Sequence, residues 1–205
     1  SIGLVGSEMC IRDSLNADTK RLSTGTFKII FVGSVTERKN PKIIIESLET
    51  IDEDISLEII GQTPNLKYLK ELNKLIASSK HAKSITMTPF IKAEELILKY
   101  SSANLFILPS KSEGLGRVII EAQSTACPVL VSSNTGMTDL IIENETGYIF
   151  ENNNKNDLTK KIQYIIDNYE SALQIGLNSK DFVKENQSVT NFEFGYKKLI
   201  DLVST

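Results

Sequence analysis

NLFILPSKSEGLGRVIIEAQSTACPVLV, residues 104–131, decides the fold. Leu105–Leu108 is an apolar run of strand length, and Pro109–Gly116 is a loop holding two glycines. Arg117–Thr125 then reads as an apolar helix, and Val129–Val131 as a second apolar strand after Pro128. Strands that are apolar on both faces suit a parallel sheet covered by helices on both sides. Parallel neighbours need a crossover connection, which the helix supplies.

The same alternation runs outward in both directions. Phe27–Val32 is a strand that stops at Gly33, and Asn40-Pro41 marks a helix start with asparagine as cap and proline at the first helical position. Ile44, Ile45 and Leu48 follow at helical spacing. Leu57–Ile60 is a strand ended by Gly61, and Pro64 opens a helix through Ser79 with Leu66, Leu69, Leu72 and Leu75 on one stripe. Ser84–Thr88 reads as a strand, Ala93–Tyr100 as a helix, Thr138–Ile142 as a helical turn and Gly147–Phe150 as the last strand. Helices are expected at 156–168, 170–184 and 190–203. Strands alternating with helices predict an α/β fold with a doubly wound, Rossmann-like parallel sheet. Ligands of such sheets bind beyond the carboxyl ends of the strands, which points to loops 33–40, 61–64, 88–92, 109–116 and 132–137.

Composition narrows the function classes. The chain has 205 residues, 40% hydrophobic and 24% charged, with a formal charge of −3, so it lacks the basic excess of a nucleic-acid binder. No apolar run approaches the roughly 20 residues needed to span a bilayer. Two cysteines far apart, without partner histidines, make neither a disulfide framework nor a zinc site, and they fit a reducing compartment. Residues 1–14, SIGLVGSEMCIRDS, resemble translated sequencing-adapter DNA and fit no signal peptide; they read as a non-native leader. Residues 15–26 are polar with turn formers and read as the remnant of an interdomain linker. Residues 27–186 form the expected domain, and 187–205 a closing helix with Phe192, Tyr196 and Leu199 at helical spacing.

The familiar phosphate motifs are absent: Gly33-Ser34-Val35 has no further glycines, and nothing matches G-x-x-x-x-G-K-[ST]. Two glycine-bearing loops remain, each leading into a helix N-terminus, where unpaired amides and the helix dipole favour anions. Gly114 and Gly116 allow close approach of backbone to a ligand and positive φ angles, so that the amides of Leu115, Gly116 and Arg117 can face a diphosphate. Glu113 is set to accept hydrogen bonds from sugar hydroxyls; its bland alternative is a capping box with Ser110. Glu121 lies inside an apolar helix, where a carboxylate needs partners, and a vicinal diol such as ribose offers two donors. Its alternative is a local cap or a pair with Lys39 or Arg117. Lys39 can reach a phosphate as a flexible point charge, with Arg38 in reserve; a solvated surface pair with Glu37 is the alternative. His81 reads as an exposed loop residue and Cys127 as a small buried one.

These motifs together resemble the C-terminal, nucleotide-sugar-binding domain of retaining glycosyltransferases of family 4, which have the GT-B fold. Glu113-Gly114-Leu115-Gly116 through Glu121-Ala122 looks like that family's E-x7-E motif. Pro128-Val129 with Ser133-Asn134-Thr135-Gly136 looks like the strand and glycine loop after it, and Glu143–Gly147 like the closing turn. Phe31-Val32-Gly33 with Lys39-Asn40 looks like the first-strand phosphate motif. The resemblance implies a UDP- or GDP-sugar as donor, with Glu113 on the sugar, Glu121 on the ribose, and Lys39 and amides 115–117 on the diphosphate. It implies the backbone of Phe90-Ile91 against the base, no metal and no cofactor. The acceptor, a glycan or lipid-linked molecule, would meet a missing N-terminal domain, on which the closing helix would pack. Ser34 departs from the family, which usually has arginine after the first-strand glycine, and Pro89 stands where a third-loop glycine is usual. The Lys-, Ile- and Asn-rich composition suggests an AT-rich bacterial genome; polysaccharide synthesis in the cytoplasm or at the inner membrane's cytoplasmic face is the expected setting. Competing readings are a sugar-nucleotide epimerase or phosphorylase, a response-regulator-like effector module and a degenerate partner subunit. The response regulator wants clustered aspartates where this chain has Gly33-Ser34.

Overall fold

The computed structural model describes residues 25–112, 114, 116–135 and 141–186. The leader, residues 15–24 of the linker, Glu113, Leu115, most of the turn at Thr138–Ile142 and the closing helix at 190–203 lie outside them. The described strands are β1 (Phe27–Val32), β2 (Ile55–Ile60), β3 (Ile85–Thr88), β4 (Leu105–Leu108), β5 (Val129–Ser132) and β6 (Tyr148–Phe150). The helices are α1 (Pro41–Leu48), α2 (Leu66–Ser78), α3 (Ala93–Ser102), α4 (Arg117–Ser124), α5 (Lys155–Asp167) and α6 (Tyr169–Asn186). One six-stranded sheet runs β3-β2-β1-β4-β5-β6, and every neighbouring pair is parallel. Chain order therefore reverses between β1 and β4, the position where doubly wound sheets bind ligands.

Burial explains the strand reading. Every residue of β4 and β5 is buried, as in a sheet covered on both faces, whereas β2 keeps two half-buried positions, Ser56 and Glu58. Phe31, Phe106, Tyr100, Tyr148 and Phe150 are the bulky side chains packed deepest in the core. Helix α1 packs on α2 and α5, while α4 packs on α3 and α6. Helix α6 also comes close to the turn after α4: a Cβ added at Gly176 would stand 2.3 Å from the Ala126 carbonyl oxygen.

Several local expectations need correction. Asn40 precedes α1 but caps nothing with its side chain; its backbone is left-handed (φ 53°) and its amide reaches Asn153. Helix α2 starts at Leu66, not Pro64, because the Asn65 side chain accepts from the amides of Lys67 and Tyr68 and fixes the start there. Leu66 is left 72% exposed, Leu72 is the one fully buried member of the expected stripe, and Tyr68, outside it, is the helix's other buried residue. His81 is half-buried, its Nε2 3.1 Å from the Leu48 carbonyl, rather than exposed. Cys127 is buried, as expected.

Candidate functional site

The site residues gather at the carboxyl ends of β1 and β4. After β1 the chain turns at Gly33 (φ 147°), whose amide donates to the Ile60 carbonyl. Gly61, after β2, also has a positive φ (150°) and meets Gly33 backbone to backbone: a Cβ there would be 1.9 Å from the Gly33 oxygen. Only glycine fits such an approach with such a φ. The Val35 amide donates to the Gln62 carbonyl, so the two loops are tied past the glycines as well.

Residues 36–40 form a turn closed by the Asn40 amide on the Thr36 carbonyl and the Lys39 amide on the Thr36 hydroxyl. This turn places the half-buried Lys39 beside Gly33, its Cε 3.9 Å from where a Gly33 Cβ would stand. Ser34 is exposed at the same corner. Arg38 is exposed at this corner. Its Nη1 donates to the Ser112 carbonyl at 2.9 Å, and its own carbonyl accepts from the Lys111 amide at 2.8 Å. Arg38 therefore staples the loop after β1 to the glycine loop after β4.

The other side of the glycine loop is tethered too. Ser132 donates to the Ser110 carbonyl, and the amides of Asn134 and Asn152 both reach the Lys111 carbonyl at 3.4 Å. Three consecutive carbonyls, 110 to 112, thus accept from side chains of three other loops. The Ser110 hydroxyl is buried with no hydrogen-bond partner among the described residues. Helix α4 starts immediately after, capped by the Gly116 backbone, so a Ser110 capping box does not set its start. Gly116 does not use a positive φ (−84°). Gly114 has open space around it, and Gly116 is closely packed against Ile119, so at Gly116 the missing Cβ serves close packing rather than unusual backbone.

Glu121 sits one turn into α4. Tyr100 of α3 donates to its Oε2 at 3.4 Å, and the Arg117 guanidinium stands near enough to favour the charged form. Burial outweighs both and holds the Glu121 carboxyl above its ordinary range. Arg117 itself is exposed at the helix start. Phe90 (73% exposed) and the half-buried Ile91 follow β3, at the same edge of the sheet but with β2 between them and β1. Glu113 and Leu115 lie outside the described residues. The groove of about 410 Å³ lined by Lys28, Ser56, Glu58, Thr86 and Lys99 lies elsewhere, on the sheet face beside α3, where Lys99 pairs with Glu58. Among the described residues no cluster of three or more His, Cys, Asp or Glu could hold a metal ion.

A family described as glycosyl transferases group 1 matches residues 15–182. The chain belongs to the glycosyl transferases group 1 family. It is 27% identical over 175 residues to the capsular polysaccharide biosynthesis glycosyltransferase CapM of Staphylococcus aureus, covering 82% of this chain and 44% of that protein. A solved Anabaena protein, Alr3699/HepE in complex with UDP-glucose, superposes with a TM-score of 0.79 at 18% identity over 97% of this chain and 53% of that one. The C-terminal domain of a Francisella tularensis glycosyl transferase group 1 protein, LpcC, superposes with a TM-score of 0.72 at 22% identity, over 89% of this chain and 93% of that one. The chain spans less than half the length of the curated relatives it matches.

Within this family member, sequence reasoning missed the groups that hold the loops of the site in shape. Tyr100, Ser132 and Asn152 were not singled out, and the bond from Arg38 to the Ser112 carbonyl was not foreseen. Tyr100 is the one aromatic residue of α3, two residues before its end, which is the one signal that could have drawn attention to it.

Proposed function

We propose that this chain is the donor-binding half of a retaining hexosyltransferase, which passes a sugar from a UDP- or GDP-linked donor to a glycan or lipid-linked acceptor. The observation that carries the reading is the meeting, at the β1–β4 reversal, of Lys39 beside Gly33, the α4 N-terminus and the Glu121 carboxylate. Family membership and the fold of a UDP-glucose-binding neighbour support it.

In this reading Glu121 accepts from the ribose diol and the backbone of Phe90-Ile91 meets the base. The amides of Gly116 and Arg117, with that of Leu115, serve the diphosphate in this reading, and Glu113 accepts from the sugar. Lys39 neutralises charge on the departing diphosphate, assisted by the α4 dipole. Ser34 offers no charge there, and Arg38 is engaged with Ser112, so Lys39 carries the cationic contribution. The acceptor hydroxyl attacks the anomeric carbon on the face the diphosphate leaves. A carbon–oxygen bond to the acceptor forms, the bond to phosphate breaks, and the acceptor proton passes to the departing phosphate oxygen. The acceptor binds a further domain, so the chain alone holds nucleotide but transfers little sugar. The setting is the cytoplasm, with peripheral association of the full protein at the membrane; among the described residues no helix is long and apolar enough to cross one.

Calorimetric titration of this chain with UDP and with GDP, alongside Glu121→Ala, tests the reading. Saturable binding of one nucleotide that the substitution abolishes is expected. A folded chain that binds neither nucleotide overturns the donor-site assignment and favours a decayed partner subunit.

A further inference from the structure

Tyr100 is fully buried near the end of α3. Its ring stands edge-on to Phe106 of β4, with centroids 5.7 Å apart and planes at 73°. A buried phenol needs a partner for its hydroxyl, and the partner here is an ionisable group, the Glu121 Oε2. Phe106 in turn lies on the strand that leads into the glycine loop, so the ring is referenced to the same strand end as the site.

The terminal torsion of a glutamate is broad, and a carboxylate on one flexible stem does not hold its plane unaided. A vicinal diol demands a held plane, because its two hydroxyls must find acceptors at the same time. A carboxylate has two oxygens with about four acceptor positions, so one hydrogen bond to Oε2 still leaves Oε1 to accept. A hydroxyl delivered by a ring that is itself clamped against Phe106 supplies the second anchor that the glutamate stem lacks.

We propose that Tyr100 is the positioning residue for ribose recognition: its hydroxyl fixes the Glu121 carboxylate so that the remaining acceptor capacity meets the 2′- and 3′-hydroxyls of the nucleotide. This rests on the reading that Glu121 meets the ribose. A purely architectural Tyr100 would seat α3 on α4 and have no effect on which sugar the nucleotide carries.

The test titrates UDP, 2′-deoxy-UDP, GDP and 2′-deoxy-GDP into the wild-type chain, Tyr100→Phe, Glu121→Gln and the double variant, with thermal melts of each. The wild type is expected to prefer the ribonucleotide about tenfold, the scale of one hydrogen bond to a charged group. Tyr100→Phe, which removes a single atom, should lose most of that preference while its affinity for the deoxynucleotide stays near wild type. In the Glu121→Gln background the same change should have no further effect on the preference. A folded Tyr100→Phe that keeps the tenfold preference overturns the inference and leaves Glu121 at the ribose. A wild type without any preference overturns the ribose reading itself, and the inference with it.

Discussion

Replacing Gly61 by alanine tests the backbone contact that floors the site. The added Cβ would stand 1.9 Å from the Gly33 oxygen and 2.7 Å from the Gly33 carbon. Ordinary contact begins near 3.4 Å, so the two loops must part by 3.4 − 1.9, or about 1.5 Å. Two terms oppose the substitution. An L side chain at φ 150° costs about 1–3 kcal/mol, and forcing a packed neighbour aside costs about the same again. A loss of about 2–4 kcal/mol is expected, partly relieved by loop movement. At about 2–4 °C per kcal/mol for a chain of this size, the melting temperature should fall by about 10 °C. The displaced atom belongs to Gly33, next to Lys39, so nucleotide affinity should weaken in the same variant. Gly114→Ala is the control. Nothing lies within 4 Å of its added Cβ, so stability should hold within about 0.5 kcal/mol, and any fall in nucleotide affinity reports on ligand approach alone. Urea denaturation of both variants, followed by titration with UDP and GDP, gives the two numbers. A Gly61→Ala chain within about 0.5 kcal/mol of wild type would refute the idea that the two loops are locked through this contact.

Two further outcomes concern charge and tethering. Burial raises the Glu121 carboxyl above its ordinary range, so the folded chain binds its proton more tightly than the unfolded chain does. Stability at this position therefore rises as pH falls from above the raised value toward the ordinary carboxylate range, while nucleotide binding, which needs the ionised form, falls over the same window. Glu121→Gln should flatten both trends, and denaturation and titration across that pH range will show whether it does. Arg38→Ala removes an exposed bond to Ser112 worth about 0.5–1.5 kcal/mol at most, so the fold should be nearly unaffected, yet nucleotide affinity should fall. Arg38→Lys should restore little of it if reach and fork geometry matter; full recovery would show that only the charge counts.

The parallel sheet was legible because its strands are short apolar runs separated by helix starts, and burial on both faces leaves such runs little other use. Element starts were less legible. Pro64 and Asn65 are both plausible openers for α2, and a side-chain cap on two amides decided between them, which spacing alone does not reveal. Asn40 showed the opposite failure: a good capping residue whose left-handed backbone sends its side chain to Asn153 instead. In the site, residue types that carry charge or glycine were visible in the chain, and Lys39 does lie beside Gly33. The role of Arg38 was not, because the carbonyl it holds is 74 positions away, and no local pattern marks a side chain that bonds to distant backbone. Tyr100 escaped for the same reason, since its partner lies on another helix.

The carbonyls of residues 110–112 are held by Ser132, Asn134, Asn152 and Arg38. The shape of that loop is therefore a joint property of segments scattered across the chain. Transplanting residues 109–116 alone into a relative would carry the letters without the conformation. A graft meant to exchange donor preference between such enzymes must bring positions 38, 132, 134 and 152 with it.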